Sequence, residues 1–148
     1  MSKTLLETIN LKKTYKHIDG DITLFNNLNL KVKYGDLIAL VGPSGSGKSS
    51  LLHLFALLDE PSKGKILLNN KETKNLTDNQ KDEVRRKNIS IIFQDNNLLT
   101  DFTAIENVMM PLLIKGENEK NILEKANKIL KDVKIIDRSN HFPSELSG

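Results

Sequence analysis

Apolar and polar residues in the first third of the chain alternate in a way that predicts β-strands. Leu28, Leu30 and Val32 are separated by single polar residues, which is the period-two pattern of a strand with one buried face. Asp19-Gly20 lies between two isoleucines and predicts a tight hairpin turn. The pattern therefore indicates an antiparallel β portion near the start of the chain.

A different pattern follows, in which short apolar runs are bounded by glycine and polar residues. The run over residues 37–41 is continuous, which is typical of a strand covered on both faces in a parallel sheet, and residues 89–93 predict a second buried strand. A helix is predicted over residues 49–58, and a short strand over residues 65–68. Together these elements predict an α/β core.

The second half of the chain has a helical pattern. Thr77-x-x-Gln80 and Thr103-x-x-Glu106 are capping-box sequences, and each predicts the start of a helix. We expect the helix after Thr103 to be interrupted by Pro111. Apolar residues then recur with a period of about 3.6, which predicts one face of a third helix. They are Ile122, Leu123, Ala126, Ile129, Leu130 and Val133.

Composition narrows the class of protein. The 148 residues include no cysteine, which excludes disulfide scaffolds, thiolate zinc sites and thiol nucleophiles. The 22 basic and 19 acidic residues give a net charge of +3, and because the two signs are interspersed we expect no nucleic-acid partner. The longest apolar stretch, 51–58, is too short to cross a bilayer. The first residues lack the apolar core of a signal peptide, so a cytosolic protein is expected.

One segment carries a specific chemical signature, G-x-x-x-x-G-K-[S/T], between a predicted strand and a predicted helix. It consists of Gly42, Pro43, Ser44, Gly45, Ser46, Gly47, Lys48 and Ser49. Glycines allow successive N–H groups to point at phosphate oxygens, and the helix N-terminus adds partial positive charge. Lys48 is expected to contact the β- and γ-phosphates of a nucleotide and Ser49 to ligate Mg²⁺, with the neighbouring Ser50 in the same site. This loop alone does not distinguish GTPases, kinases and transport ATPases. The alternative is a flexible loop that only joins strand to helix.

Three further features, taken with this loop, indicate a family. Tyr15 ends a predicted strand before the loop, Gln94 ends a later apolar run, and Leu146, Ser147 and Gly148 end the chain. In this order the chain resembles the nucleotide-binding subunits of ABC transporters over essentially its whole length. The resemblance implies that Tyr15 stacks on adenine and that Gln94 reaches Mg²⁺ and the attacking water. It also implies that residues 146–148 begin the signature motif, which completes the ATP site of a partner subunit.

Within this family, three segments look like the ATP-binding protein of the bacterial lipoprotein-releasing system. They are residues 50–54, 98–114 and 140–148. Thr100 stands where that subfamily usually has proline, and Ala56 and Leu57 stand where it usually has glycine. Because these departures lie outside the phosphate loop, they bear on the subfamily more than on ATP binding. The ATPases of macrolide or peptide exporters and of cell-division ABC complexes remain alternatives.

The resemblance implies a fold that the chain covers in part. The expected fold is an α/β P-loop NTPase core of the ABC ATPase type, with an antiparallel β subdomain and a helical subdomain. Residues 1–94 would form the β subdomain and P-loop core, and residues 95–148 the helical subdomain up to the start of the signature motif. We expect the chain to be truncated before its catalytic half, with the general base beyond Gly148. Residues 1–148 would then contain no catalytic residue and would hydrolyse no ATP by themselves.

The resemblance also implies cofactors, partners and a location. The cofactors would be ATP and Mg²⁺, and the partners would be integral membrane subunits and a second ATPase subunit in a homodimer. The protein would be peripheral on the cytoplasmic face of the inner membrane. One or more of Leu99, Phe102 and Met109 are expected to contact a cytoplasmic coupling helix of the membrane subunits, unless these residues belong to the core of the helical subdomain. Two other hypotheses are a soluble ABC protein acting on ribosomes or DNA, and a nucleotide binder that does not hydrolyse ATP.

Overall fold

The structure, a computed structural model, describes residues 3–94 and 97–146. By its internal contacts the chain divides into two units, Met1–Ser90 and Ile91–Gly148. The phosphate loop belongs to the first unit, and the helices after residue 103 belong to the second.

The first unit contains a four-stranded antiparallel sheet. Its strands are β1 (Thr4–Tyr15), β2 (Ile22–Lys33), β3 (Lys63–Leu68) and β4 (Lys71–Glu72), in the order β2-β1-β3-β4. The turn between β1 and β2 contains Gly20 at φ +123°, and the Gly20 N–H donates to the His17 carbonyl oxygen at 3.2 Å. The predicted hairpin and the predicted strand over 65–68 are therefore confirmed.

A helix packs against this sheet and forms the core of the first unit. This helix, α1 (Lys48–Phe55), buries Leu51 and Leu54, which cluster with Leu11 of β1 and Ile66 of β3. Leu51 and Leu54 lie on one side of the helix because they are three residues apart. Full burial of such side chains contributes roughly 1.5–3 kcal/mol each to folding. The core therefore fixes the helix that follows the phosphate loop against the sheet.

β1 and β3 approach each other closely at an irregularity in their pairing. The register shifts between Ile9 and Lys12 of β1, and Asn10 there has φ +48°. Gly64 of β3 has φ +85°, and a Cβ on it would lie 2.3 Å from the Asn10 carbonyl oxygen. Because no real Cβ tolerates that distance, only glycine fits at this point of the sheet.

The two strands predicted over residues 37–41 and 89–93 do not form, so this part of the prediction is wrong. Leu37, Val41 and Ile92 are each at least 90% exposed. An apolar run becomes a buried strand only when other strands pair with it and helices cover it, and no strand in the described ranges pairs with either segment. In the first unit, Ile38 and Leu40 instead line an open cavity of about 800 Å³.

The last helix of the first unit, α2 (Asp78–Asn88), begins where the capping-box sequence predicts. The Thr77 N–H donates to the Gln80 side chain at 2.9 Å, and the Gln80 N–H donates to the Thr77 hydroxyl at 3.4 Å. Two N–H groups that a helix start leaves without partners are thereby satisfied. The prediction of this helix is confirmed.

The second unit contains α3 (Ala104–Ile114), which also begins at a capping box. The Glu106 carboxylate accepts hydrogen bonds from the N–H and the hydroxyl of Thr103, at 2.8 and 2.7 Å. The predicted interruption at Pro111 is wrong, because the helix runs through this residue to Ile114. Proline removes one intrahelical hydrogen bond, and the helix continues with a bond from the Lys115 N–H to the Pro111 carbonyl at 3.2 Å.

α4 (Glu119–Asp132) confirms the helix predicted from apolar periodicity. Ile122, Ala126 and Leu130 are buried, whereas the other predicted face residues are exposed. Those exposed residues are Leu123, Ile129 and Val133. Since the buried set repeats every four residues, the packed stripe is narrower than the predicted face. In the described ranges, no helix has the length and apolarity that a bilayer crossing requires.

Candidate phosphate-binding site

The loop over residues 42–47 turns sharply into α1 through glycine conformations. Gly47 precedes the helix at φ +87°, a left-handed conformation that strains residues with a side chain. Gly45, two residues earlier, has φ +78°. Most residues of the loop are exposed, and the Ser46 N–H donates to the Pro43 carbonyl oxygen at 3.3 Å. Gly45 and Gly47 therefore adopt the positive φ values that the motif was predicted to need at its glycines.

Lys48 is the first residue of α1, and its side chain folds back over the loop. Its ammonium donates to the carbonyl oxygens of Gly42 and Pro43, at 2.9 and 2.7 Å, and to the Ser46 hydroxyl at 3.4 Å. Within residues 3–94 and 97–146, no carboxylate forms an ion pair with Lys48. The charge is held at the loop without an acidic partner, which favours an anionic ligand.

The first turn of α1 places serine hydroxyl groups and backbone N–H groups beside the Lys48 ammonium. Ser49 is exposed and Ser50 is half-buried, and the turn contains no acidic residue. A hydroxyl oxygen suits Mg²⁺, which is usually bound by few protein ligands together with phosphate oxygens and water. In the described part of the chain, no cluster of three acidic or histidine side chains offers another metal site. Ser49 therefore fits a magnesium ion only in company with a phosphate ligand.

Leu24 and Phe25 of the β1–β2 hairpin lie against the loop at Gly47. A Cβ placed on Gly47 would lie 3.0 Å from the Leu24 Cβ and 3.4 Å from Phe25 Cδ1 of β2. Leu24 lies two residues after Ile22, which pairs with Tyr15 across the β1–β2 ladder. The structure thus brings the end of β1 that carries Tyr15 to the same region as the phosphate loop.

Tyr15 is held by two residues that the sequence did not indicate. Its hydroxyl donates to Asp59 Oδ2 at 3.0 Å, and the Lys13 ammonium lies 4.6 Å from the centre of its ring. The same ammonium donates to Asp59 Oδ1 at 2.7 Å. Lys13 could have been suggested by its spacing, since residues two apart on a strand share a face. Asp59 lies 44 residues from Tyr15, and no local pattern connects them.

Opposing effects act on the Asp59 carboxyl. Burial would raise the pKa of Asp59, but hydrogen bonds from Lys13, from the Glu60 N–H and from Tyr15 outweigh that effect. The pKa of Asp59 therefore lies below its usual value, and the carboxylate is ionised at neutral pH. Ionised Asp59 balances the positive charge of Lys13, whose side chain is buried.

The other predicted site residues belong to the second unit or lie outside the described residues. Gln94 is exposed at a bend, and its predicted contact with Mg²⁺ stays a prediction. Leu146 is half-buried after a short 3₁₀ helix (Pro143–Glu145), where its N–H donates to the Pro143 carbonyl at 3.2 Å. Ser147 and Gly148 lie outside the described residues.

Comparison with known proteins gives consistent matches across the chain. The sequence pattern of the ABC transporter family matches residues 25–148. The chain is 40% identical over 148 residues to the lipoprotein-releasing system ATP-binding protein LolD of Treponema denticola, and covers 66% of that protein. It is 43% identical over 144 residues, 97% of its length, to LolD of Wigglesworthia glossinidia brevipalpis, and covers 63% of it.

Solved structures of one protein resemble the fold closely. The dimeric structure of MJ0796, described as a bacterial ABC transporter cassette, matches 97% of this chain with a TM-score of 0.89 and 35% identity. A dimeric post-hydrolysis state of the same cassette, bound to ADP and Pi, matches with a TM-score of 0.88. The chain spans 63–64% of these two structures, and thus less than two thirds of the relatives it matches.

Proposed function

We propose that this chain, which belongs to the ABC transporter family, binds Mg·ATP at the loop over residues 42–49. The family is the one that the sequence motifs predict. The ABC ATPase fold predicted from the sequence agrees with the MJ0796 structures. The observation that carries the proposal is the Lys48 ammonium, held by the loop's own carbonyl oxygens at 2.7 and 2.9 Å. A triphosphate would replace these carbonyls as the partner of Lys48.

Each part of the loop has a separate task in this proposal. The N–H groups of the loop and the N-terminus of α1 bind phosphate oxygens. Lys48 neutralises charge on the β- and γ-phosphates, and the Ser49 hydroxyl holds the magnesium ion. When bound, Mg²⁺ would neutralise charge between phosphates and help to fix their orientation. Tyr15, at the end of β1, would stack on the adenine ring.

The whole protein would act as the ATP-binding subunit of a transporter that releases lipoproteins from the inner membrane. The relatives in Treponema and Wigglesworthia are named as ATP-binding proteins of such a system, which supports this assignment. The protein would work as a homodimer on the cytoplasmic face of that membrane, bound to integral membrane subunits. Gln94 would reach the magnesium ion, and residues 146–148 would contact ATP held by the partner subunit.

We infer that the general base for ATP hydrolysis lies outside residues 42–55, because neither the phosphate loop nor α1 contains an acidic residue. Phosphoryl transfer depends on positioning, on charge neutralisation and on a group that orients or deprotonates the attacking water. Residues 1–148 would therefore bind Mg·ATP and release no phosphate above background.

Titration calorimetry with Mg·ATP on the protein and on two lysine variants tests the proposal. Lys48→Ala should weaken binding at least tenfold, since a hydrogen bond to a charged group is worth about 1.5–3 kcal/mol. Lys115→Ala removes the same charge at an exposed position after α3 and should bind like the parent protein. Equal affinity of the Lys48→Ala variant and the parent would overturn the assignment of this loop.

A further inference from the structure

We propose that Lys13 and Asp59 are positioning residues for Tyr15, and that they leave only one face of its ring free for a nucleotide base. This inference rests on the ATP binding proposed above and concerns the base rather than the phosphates. It assigns roles to two residues outside the phosphate motif. Neither residue would touch the nucleotide, because each acts through the tyrosine.

Three side chains form a closed triangle at the end of β1. Asp59 accepts the Tyr15 hydroxyl at one carboxylate oxygen (3.0 Å) and the Lys13 ammonium at the other (2.7 Å). Lys13 closes the triangle, since its ammonium lies 4.6 Å from the centre of the Tyr15 ring. The ring is thereby fixed at its hydroxyl by Asp59 and at one face by Lys13.

The triangle is stable because its charges are paired and partly removed from water. Lys13 is only 7% exposed, and besides Asp59 its ammonium donates to the Glu60 carbonyl oxygen at 2.8 Å. A cation over an aromatic face is attracted by the ring quadrupole, more strongly where water is excluded. Lys13 therefore occupies one face of the ring, and a base would stack on the other face.

Tyr15 nevertheless keeps enough exposed surface to bind a ligand. The residue is 41% exposed, although its hydroxyl and one ring face are engaged. A tyrosine that served only to fill the core would be buried and would not keep this exposed surface. Partial exposure of an immobilised ring favours stacking, because the ring has already lost its rotational freedom before the ligand binds.

The anchor of the ring is connected to the phosphate loop through α1. Lys48 begins this helix, Phe55 ends it, and Asp59 follows four residues later. A helix of eight residues is about 12 Å long and is rigid on this scale. The contact of Leu24 with Gly47 links the same two regions on the other side, through β2. Base and phosphate contacts would thus be held at a fixed separation.

The test compares ATP with inorganic tripolyphosphate, which offers phosphates without a base. Affinities of both ligands, with Mg²⁺, are measured by calorimetry for the parent protein and for Tyr15→Ala, Tyr15→Phe and Asp59→Asn. Tyr15→Ala should lose about 5- to 150-fold in ATP affinity, the equivalent of 1–3 kcal/mol for one stacked base. Tripolyphosphate should bind all four proteins equally.

Tyr15→Phe is the decisive variant, since it keeps the ring and leaves the ion pair of Lys13 with Asp59 intact. It removes only the hydroxyl that donates to Asp59, so ATP affinity should fall about 2- to 12-fold, as for one hydrogen bond. Asp59→Asn should lower ATP affinity at least as much. If Asp59→Asn fails to fold because Lys13 loses its counter-charge, the Tyr15→Phe result decides alone.

Tyrosine fluorescence gives a readout that a merely structural role would not change. The chain has two tyrosines and no tryptophan, so Tyr34→Phe leaves Tyr15 as the single emitter. In the Tyr34→Phe background, ATP should quench the tyrosine emission and tripolyphosphate should not. Adding Asp59→Asn should reduce the quenching at saturating ATP.

The positioning role is overturned if Tyr15→Phe binds ATP with the affinity of the parent protein, or if a variant loses affinity equally for ATP and for tripolyphosphate. If the parent protein binds neither ATP nor tripolyphosphate, the proposed function is overturned as well. If it binds tripolyphosphate, and ATP no more tightly, only this inference is overturned.

Discussion

Leu24 of β2 lies directly against Gly47, the residue that precedes α1, so that a Cβ on Gly47 would be 3.0 Å from the Leu24 Cβ. Gly47 therefore meets two requirements at once. Its φ of +87° allows the loop to turn into the helix, and its lack of a side chain allows the hairpin to approach. The contact connects the hairpin that carries Tyr15 with the loop that carries Lys48.

Replacing Gly47 tests whether the contact with Leu24 affects the free energy of unfolding in addition to the effect of backbone strain. Gly47→Ala should destabilise the protein more than Gly45→Ala, because both have positive φ but only Gly47 has a neighbour within 4 Å. The left-handed conformation costs a residue with a side chain roughly 1–2 kcal/mol, and overpacking adds about 1–3 kcal/mol. Urea unfolding of the two variants measures the difference. Equal losses would mean that Leu24 moves away without penalty.

Replacing Gly64 in β3 by alanine should have a larger effect on stability, because its nearest neighbour is closer. Its Cβ would lie 2.3 Å from the Asn10 carbonyl oxygen, a backbone atom that cannot rotate away. Gly116→Ala is the control, since Gly116 has φ +76° and nothing within 4 Å. We expect Gly64→Ala to lose about 3 kcal/mol or more of unfolding free energy, and the control about 1–2 kcal/mol. Similar midpoints in urea for both variants would contradict the close approach of β1 and β3.

Features that depend on neighbouring residues in the chain could be predicted from the sequence. The capping box of Thr77 and Gln80 forms as predicted, because its hydrogen bonds join residues three apart. The hairpin between β1 and β2 and the helix after Lys48 are equally local. In each case the residues that specify the element also make its contacts.

Features that depend on distant partners could not be predicted in this way. The run over 37–41 has the composition of a buried strand, but it forms none without strands to pair with it. The anchoring of Tyr15 by Asp59 joins residues 44 apart, and nothing near Asp59 indicates it. The three residues of the signature motif could be recognised only as part of a family pattern, because Leu-Ser-Gly by itself has no required physical role.

The capping box of α3 predicts a pH dependence of stability. The N–H and then the hydroxyl of Thr103 donate to the Glu106 carboxylate, and these bonds hold the pKa of Glu106 below its usual value. A carboxyl whose pKa is lower in the folded state stabilises the protein above its unfolded pKa, about 4.3 for glutamate. This contribution is lost as the pH falls through the lowered folded pKa.

The measurement compares the parent protein with Glu106→Gln in urea at a series of pH values. The stability difference between them should be constant near neutral pH and should shrink toward zero as the pH falls below about 4. Glu124→Gln, on the exposed part of α4, controls for the loss of one negative charge. A difference that does not change with pH would show that the Glu106 carboxylate makes no specific contribution at the helix start.

If the protein acts in a transporter as proposed, the apolar segment before and within α3 predicts where membrane subunits would bind. Leu98, Leu99 and Phe102 remain exposed in the second unit, although they are large apolar residues. Neighbouring exposed residues of this kind commonly mark a protein-binding surface. Phe102 is 38% exposed, so its ring is accessible and its replacement should leave the helices intact.

Phe102→Asp in the full-length protein should therefore abolish co-purification with the membrane subunits while leaving Mg·ATP affinity unchanged. A charge placed in an apolar contact must be buried without a partner, which opposes binding far more than it opposes folding of an exposed site. Val133→Asp introduces the same charge at another exposed apolar residue of the second unit and should co-purify normally. Circular dichroism on both variants verifies that they are folded. Unfolding of Phe102→Asp, or its full co-purification, would instead assign Phe102 to the packing of its own unit.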